Sequence, residues 1–156
     1  MEALTIRPAQ PADLPAIRAL FRDTVLRICR RDYLPAQTEA WAQSADEPDL
    51  WVHRLESQHF LLALVGGEPA GFASLTPGGY IDLLYVHADR QGQGTASALM
   101  DALMALAQRL GLQVLSADVS ITARPFFGRR GFGVVSANRK LLRGQTFLNY
   151  RMERRL

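Results

Sequence analysis

The stretch Gln91-Gly92-Gln93-Gly94-Thr95-Ala96 decides the fold, because it joins a predicted strand to a predicted helix. Upstream, residues 80–87 form an apolar run with the length of a buried strand. Downstream, residues 93–110 place apolar side chains every three or four positions, which predicts one apolar helix face. Amide groups at a helix start are unpaired and partly positive, and glycine lets a ligand come close. The stretch therefore predicts a phosphate or pyrophosphate site.

Two familiar phosphate loops do not fit this stretch. A P-loop requires Gly-Lys-Ser/Thr, and a dinucleotide fingerprint requires a third glycine where Ser97 stands. The alternative to a ligand site is that Gly92 and Gly94 only shape the turn before the helix.

The rest of the chain predicts an α+β fold. Strand, helix and strand in succession around the loop indicate one parallel pair. The glycine and proline turns upstream indicate an antiparallel meander. The predicted strands cover residues 4–7, 60–65, 70–76, 80–87, 114–119, 132–138 and 146–152. The predicted helices begin near residues 14, 35, 93 and 125, and residues 51–55 are a candidate for one more short helix. A mixed, mostly antiparallel sheet of six to seven strands with about four helices follows.

Composition bounds the class of protein. The 156 residues are 48% apolar and 21% charged, which is typical of one globular domain spanning residues 1–156. The longest apolar run, residues 60–65, is far below the about 20 residues that cross a bilayer, and we expect a cytoplasmic protein without a membrane partner. The single cysteine, Cys29, and three histidines without zinc-ligand spacing predict no metal site.

The charge pattern does not favour nucleic acid as the partner. The formal net charge is +3, and every basic residue except Lys140 is an arginine. Because these arginines are scattered along the chain rather than concentrated in one stripe with aromatic residues, they are not typical of a nucleic-acid surface. A nucleic-acid-associated accessory protein remains a minor alternative.

Two motifs resemble the GNAT superfamily of N-acetyltransferases. Gln91, Gly94 and Ala96 fit its acyl-CoA loop, Gln/Arg-x-x-Gly-x-Gly/Ala. Residues 120–132 read Ser-x-x-Ala-x-x-Phe-Phe-x-x-x-Gly-Phe, which is similar to the next motif, Asn-x-x-Ala-x-x-Phe/Leu-Tyr-x-x-x-Gly-Phe. The resemblance spans nearly the whole chain and is greatest to the YafP-like bacterial branch.

This resemblance implies an acetyltransferase that moves an acetyl group from acetyl-CoA directly to a primary amine of a small molecule, peptide or protein. It also implies a GNAT-like sheet that splays between the parallel strands, with the pantetheine arm in the gap and the amide near Val86 polarising the thioester carbonyl. For Ser120, a cap of the following helix is the alternative to binding pantetheine. The residues expected to contact acetyl-CoA are Leu84, Tyr85, Val86, Gln91, Gly92, Gln93, Gly94, Thr95, Ala96, Ser120 and Phe127.

Asp82 is the candidate base that takes the proton of the amine. It lies in the middle of an apolar strand, where an ionised carboxylate without partners costs several kcal/mol. Strand alternation places its side chain on the face of Leu84 and Val86. The alternative is a structural carboxylate paired with an arginine or an amide.

The general acid is the point at which the sequence departs from the family. Phe127 stands where the superfamily carries a tyrosine that protonates the departing thiolate. Tyr85 or a water substitutes for it, or CoA leaves as the thiolate. Without that tyrosine, a non-catalytic acyl-CoA-binding module is the alternative function.

The resemblance assigns the acceptor side to the first helices. The candidates there are Tyr33, Trp41 and His53, with an aromatic core anchor and an ordinary histidine as the alternatives for the last two. The strands after Phe132 lie where subunits of this superfamily pair, which implies a homodimer.

Overall fold

A computed structural model describes residues 2–156, which form a seven-stranded sheet with strand order β1-β2-β3-β4-β5-β7-β6. The strands are β1 (Leu4–Pro8), β2 (His59–Val65), β3 (Glu68–Leu75), β4 (Tyr80–Val86), β5 (Val114–Ser120), β6 (Gly133–Leu142) and β7 (Gln145–Arg155). The helices are α1 (Leu14–Arg27), α2 (Pro35–Ala42), α3 (Pro48–Ser57), α4 (Thr95–Arg109) and α5 (Arg124–Arg129). Within residues 2–156, only β4 and β5 pair in parallel, so the predicted mixed sheet is confirmed, and this part of the chain has five α-helices rather than about four.

The helices cover both faces of the sheet and create two cores. On one face, α4 buries Leu99, Met100 and Leu103 against the sheet. On the other face, α1 and α3 bury Ile17 and Trp51. Each helix therefore shows the sheet one apolar stripe, as the three- and four-residue spacing predicts.

The central helix begins later than the sequence predicts. Gly94 lies just before α4 in the left-handed conformation, with φ of 85°. A residue in this conformation cannot continue a right-handed helix, so the helix starts at Thr95 rather than at Gln93.

The parallel pair opens into a wedge. Its ladder consists of Tyr80 with Ser116 and Ile81 with Ala117, and beyond these two pairs the described residues of β4 and β5 diverge. The predicted splay of the central pair is confirmed, and it leaves one edge of β4 without a neighbouring strand.

A β-bulge corrects the predicted face of Asp82. Ser74 pairs with Leu83 and Leu75 pairs with Ile81, so Asp82 is an extra residue without an opposite partner. The bulge changes the alternation, and Asp82 points to the α1–α3 face, where it contacts α3. The prediction that it shares a face with Leu84 was wrong, because Leu84 packs in the α4 core.

The far edge of the sheet is the strand β6, whose residues are almost all exposed. Among residues 2–156, no helix combines the length and the apolar character needed to span a membrane.

Candidate functional site

The wedge contains a cavity of about 980 Å³ that reaches from the start of α4 to the ends of α2 and α3. Its walls combine the open edge of β4, the loop before α4, the end of β5 and the α1–α3 face. The cavity therefore has two ends with different chemistry, the loop end and the helix end.

The loop end is built from backbone donors. Within the described residues, none of the amide groups from Gly92 to Ser97 donates to a protein acceptor, and the first turn of α4 contains no acidic residue. A Cβ atom added to Gly92 or Gly94 would meet no protein atom within 4 Å. These open, uncapped amides at a helix start suit an anion such as a diphosphate.

Gln91 holds this loop against the wedge. Its side-chain amide donates to the carbonyl of Val86 at 2.8 Å. Thr24 of α1 donates its hydroxyl to the same carbonyl at 2.9 Å. One carbonyl of β4 thus joins the loop, the strand and the first helix, and the side chain of Gln91 positions the loop.

The open edge of β4 presents backbone groups to the cavity. The amide of His87 donates to Ala70 on the β3 side, and successive residues of a strand point their backbone groups in opposite directions. The backbone groups of Leu84 and Val86 therefore point into the wedge. An extended chain with amides, such as pantetheine, fits along this edge as an added strand.

Asp82 is oriented by Arg54 of α3 and by Gln58, which directly follows this helix. Arg54 donates from Nε at 3.0 Å and Gln58 donates from Nε2 at 2.9 Å, both to the Oδ2 oxygen. Oδ1 has no donor among the described residues, and the side chain is 22% exposed to the cavity it lines. Asp82 is therefore paired with an arginine, as the structural alternative predicts, but this pairing leaves its Oδ1 oxygen available to a ligand.

A second carboxylate faces the wedge from β5. The hydroxyl of Tyr80 donates to Asp118 at 2.9 Å, and Arg151 donates to the other oxygen at 3.0 Å. Burial and then the bond to this carboxylate raise the pKa of Tyr80 to about 12. Both oxygens of Asp118 are occupied, so this cluster closes the narrow end of the wedge rather than offering a base.

Tyr85 and Phe127, the two residues considered for protonation of the departing thiolate, have different surroundings. Tyr85 is half-buried on the cavity wall, and desolvation by burial raises the pKa of its hydroxyl. Phe127 also borders the cavity, but it is 4% exposed and packs edge-to-face on Phe132 at 5.1 Å between ring centroids. The raised pKa makes the Tyr85 hydroxyl a weaker acid than an exposed tyrosine.

Of the three predicted acceptor residues, the structure brings two to the cavity. Tyr33 and Trp41 line its helix end, and their rings pack edge-to-face at 5.5 Å. The prediction for His53 was wrong, because this residue lies on the exposed side of α3 and does not line the cavity.

For two of the residues predicted to contact acetyl-CoA, Ser120 and Gln93, the side chain is placed differently from the prediction. Ser120 accepts the amide of Ala123 at 3.1 Å, which is the capping alternative, although it still borders the cavity. The side chain of Gln93 is exposed and does not line the cavity. The other predicted contacts all border it: Leu84, Tyr85, Val86, Gln91, Gly92, Gly94, Thr95, Ala96 and Phe127.

Sequence reasoning missed the residues that position the site from a distance. Arg54 of α3 and Gln58, which directly follows this helix, both reach Asp82, but these contacts join segments 28 and 24 residues apart, so no local pattern indicates them. Arg143 donates to Ala40 at 2.7 Å and to Glu47 at 2.9 Å, so the β6–β7 turn is fixed on the end of α2. No local pattern predicts that contact.

Comparison with known proteins supports this geometry. A profile of the acetyltransferase (GNAT) domain matches residues 29–154. The chain belongs to the GNAT acetyltransferase family. Among curated proteins, this GNAT chain is 36% identical to the uncharacterized N-acetyltransferase YafP of Escherichia coli strain K12 over 152 residues, which cover 97% of this chain and 96% of YafP. The predicted YafP-like GNAT resemblance and the assignment to the acyltransferases are confirmed.

Solved GNAT structures share the fold. A GCN5-related N-acetyltransferase from Rhodopseudomonas palustris superposes with a TM-score of 0.96 at 36% identity, covering 100% of this chain and 98% of that one. PaiA N-acetyltransferase from Thermoplasma acidophilum, solved in complex with coenzyme A, superposes with a TM-score of 0.84 at 15% identity, covering 99% of both chains. At that identity, the second likeness shows the fold alone.

Proposed function

We propose that the protein transfers an acetyl group from acetyl-CoA directly to a primary amine, with no covalent enzyme intermediate. The observation that carries this proposal is one continuous cavity that joins uncapped helix amides at one end to the free Oδ1 of Asp82 toward the other. Anion-binding amides suit the diphosphate of acetyl-CoA, and a carboxylate suits an amine. PaiA from Thermoplasma acidophilum, which shares the fold, was solved in complex with coenzyme A, and this supports CoA as the ligand.

Acetyl-CoA is proposed to lie along the open edge of β4. Its diphosphate accepts hydrogen bonds from the amides between Gly92 and Ser97, and its pantetheine amides pair with Leu84 and Val86. The Val86 carbonyl already accepts two protein donors, so the free Val86 amide is the group proposed to polarise the thioester carbonyl.

The reaction is a direct attack. The neutral amine nitrogen forms a bond to the thioester carbon, the carbonyl π electrons move to oxygen, and collapse of this intermediate breaks the carbon–sulfur bond. The nitrogen loses one proton, which Asp82 accepts at Oδ1, directly or through water. The products are an N-acetyl amine and coenzyme A.

The departing thiolate has two proposed fates. It leaves without protonation, because a thiol pKa near 8.5 makes thiolate a fair leaving group, or Tyr85 gives it a proton. The raised pKa of the Tyr85 hydroxyl favours the first fate. A Tyr85→Phe variant separates them, because only a proton donor at this position lowers kcat when the hydroxyl is removed.

The test of the function is release of the CoA thiol from acetyl-CoA in the presence of a panel of primary amines, with the acetylated product identified by mass spectrometry. We expect release that depends on the amine. CoA binding without any amine-dependent release across the panel would instead establish the non-catalytic module.

We also propose a homodimer through β6. This edge strand exposes the apolar residues Val135, at 60% of its surface, and Leu141, at 72%, which are costly to leave in water. Light scattering is expected to give twice the mass of 17.3 kDa, and Val135→Lys is expected to reduce it to the monomer mass. A wild-type monomer contradicts the proposal.

A further inference from the structure

The helix end of the cavity is an aromatic compartment formed by Phe21, Tyr33, Trp41, Tyr85 and Phe147. Trp41 is its centre, with ring centroids 5.5 Å from Tyr33, 6.1 Å from Phe147 and 6.5 Å from Tyr85. The elements that supply these rings are far apart in the chain, so the compartment exists only in the folded protein. Nothing in the acetyl-CoA site requires five rings at this end.

The rings differ in what they show to the cavity. Phe21, Tyr33 and Phe147 are at most 7% exposed and form the wall behind. Trp41 and Tyr85 are only half-buried and line the open space. Buried rings at the back hold the two front rings in place, so the surface offered to a ligand is rigid and aromatic.

The charged and hydroxyl groups near the compartment are mostly engaged within the protein. The Tyr33 hydroxyl donates to the carbonyl of Leu148 at 2.7 Å and accepts the amide of Ile121 at 3.0 Å. Glu47 is paired with Arg143. Among the described residues, Nη1 of the cavity-lining Arg54 has no partner, so a ligand can place one polar group here besides the amine at Asp82. A ligand that is polar over its whole surface would have to displace the bonds of Tyr33 or Glu47, which leaves polar groups unpaired.

Asp82 provides a polar contact at the edge of the compartment. It shares the α1–α3 face of β4 with Tyr85, and its Oδ1 is free of protein donors. A ligand whose amine reaches this oxygen therefore places the remainder of its skeleton against Tyr85 and Trp41.

We propose that the acceptor is a primary amine carried on a small aromatic skeleton, which stacks in the aromatic compartment while its nitrogen faces Asp82. This inference rests on the proposed function and names the class of its acceptor. A peptide extending from the wedge is the less favoured class, because rings supply no partners for its backbone groups.

The test compares 2-phenylethylamine with 2-cyclohexylethylamine, which have the same amine and a similar size but differ in aromaticity. We expect kcat/KM to be about tenfold higher for 2-phenylethylamine, since favourable ring–ring contacts add to the burial of area. Equal kcat/KM for the two amines, or a higher value for an alanine tripeptide, overturns the inference while leaving the acetyltransferase intact.

Variants of Trp41 locate the effect. Trp41→Leu is expected to raise KM for 2-phenylethylamine about tenfold and to remove the preference, whereas Trp41→Phe, which keeps a ring, retains it. The CoA dissociation constant is expected to be unchanged in both, which also shows that they fold. His53→Ala is the matched control on the exposed side of α3, and a KM change as large as that of Trp41→Leu contradicts the assignment.

Binding gives a readout that does not depend on turnover. In the presence of CoA, 2-phenylethylamine is expected to quench the fluorescence of Trp41, and Trp41→Leu to lose this quenching, because Trp51 is fully buried. Quenching without acetylation of any amine would refute the proposed function but keep the compartment. An absence of quenching in the wild type overturns the compartment.

Discussion

The two ends of the cavity are built from different parts of the polypeptide. The loop end consists of backbone amides from six consecutive residues, 92–97, placed by two left-handed glycines, Gly92 and Gly94. The helix end consists of side chains from α1, α2, β4 and β7, such as Trp41 and Phe147, together with Tyr33 between the first two helices. A local sequence specifies the first end, whereas only the complete fold assembles the second.

This difference explains the two kinds of chemistry. Backbone donors bind any ligand with a suitable anion, so one loop serves a common cofactor. Side chains determine shape and polarity, and the helix end is therefore the end that we propose selects the acceptor. We therefore expect substitutions at the loop end to affect cofactor binding and substitutions at the helix end to affect the acceptor.

The largest expected effect is at Gly94. Gly94→Glu places a carboxylate beside the amides from Gly92 to Ser97, and repulsion of the diphosphate is expected to weaken CoA binding by at least about 100-fold. Isothermal titration with CoA measures the loss. A Cβ atom here meets no protein atom within 4 Å, so the expected cost in stability comes mainly from the left-handed backbone, about 1–2 kcal/mol.

Gly94→Ala is the matched control for this substitution. It has the same backbone cost but adds no charge, so we expect CoA binding within about tenfold of wild type. If Glu and Ala weaken binding equally, backbone strain rather than anion binding explains the result, and the loop end loses its assigned role.

The next effect concerns Asp82, which lies between the two ends. Asp82→Asn keeps the shape and removes the proposed base, and we expect kcat at pH 7 to fall about 100-fold. At pH 9 the loss is expected to be smaller, because more of the amine is already neutral. The CoA dissociation constant measures the loop end separately and is expected to stay unchanged, whereas equal kcat for variant and wild type at both pH values would remove Asp82 from the mechanism.

A smaller effect is expected from Phe127→Tyr, which restores the family's acid at the loop end. If thiolate release limits turnover, kcat with a saturating amine rises, and we expect about a fivefold gain because a thiolate already leaves readily. Phe127 is packed against Phe126 and Phe132, so the melting temperature is the control for its packing. An unchanged kcat with an unchanged melting temperature shows that release is not limiting.

The sequence predicts the loop end of the cavity better than the helix end. The loop, the helix after it and the parallel pair were predictable, because periodicity and glycine positions are local signals. The face of the sheet to which Asp82 points was not predictable. A bulge opposite Ser74 and Leu75 shifts the alternation of side chains, and no residue type in the strand indicates this bulge. Arg54 and the ring of Phe147 were missed because their contacts join distant segments.

The smallest expected effect tests whether the two ends are independent. Thr24 lies on α1 and lines the cavity, and its hydroxyl donates to the Val86 carbonyl, which also accepts the Gln91 side-chain amide. Thr24→Val keeps the shape and removes this bond, and we expect the free energy of unfolding to fall by about 1 kcal/mol in urea denaturation.

The Val86 carbonyl keeps its bond from Gln91 in that variant, so the loop retains its support. We therefore expect the CoA dissociation constant to change by less than about threefold. Gln91→Ala is the matched comparison, because it removes the loop's own bond to the same carbonyl and is expected to weaken CoA binding more than Thr24→Val does. If Thr24→Val raises the CoA dissociation constant more than Gln91→Ala does, α1 controls the loop through Val86, and the two ends of the cavity act as one unit.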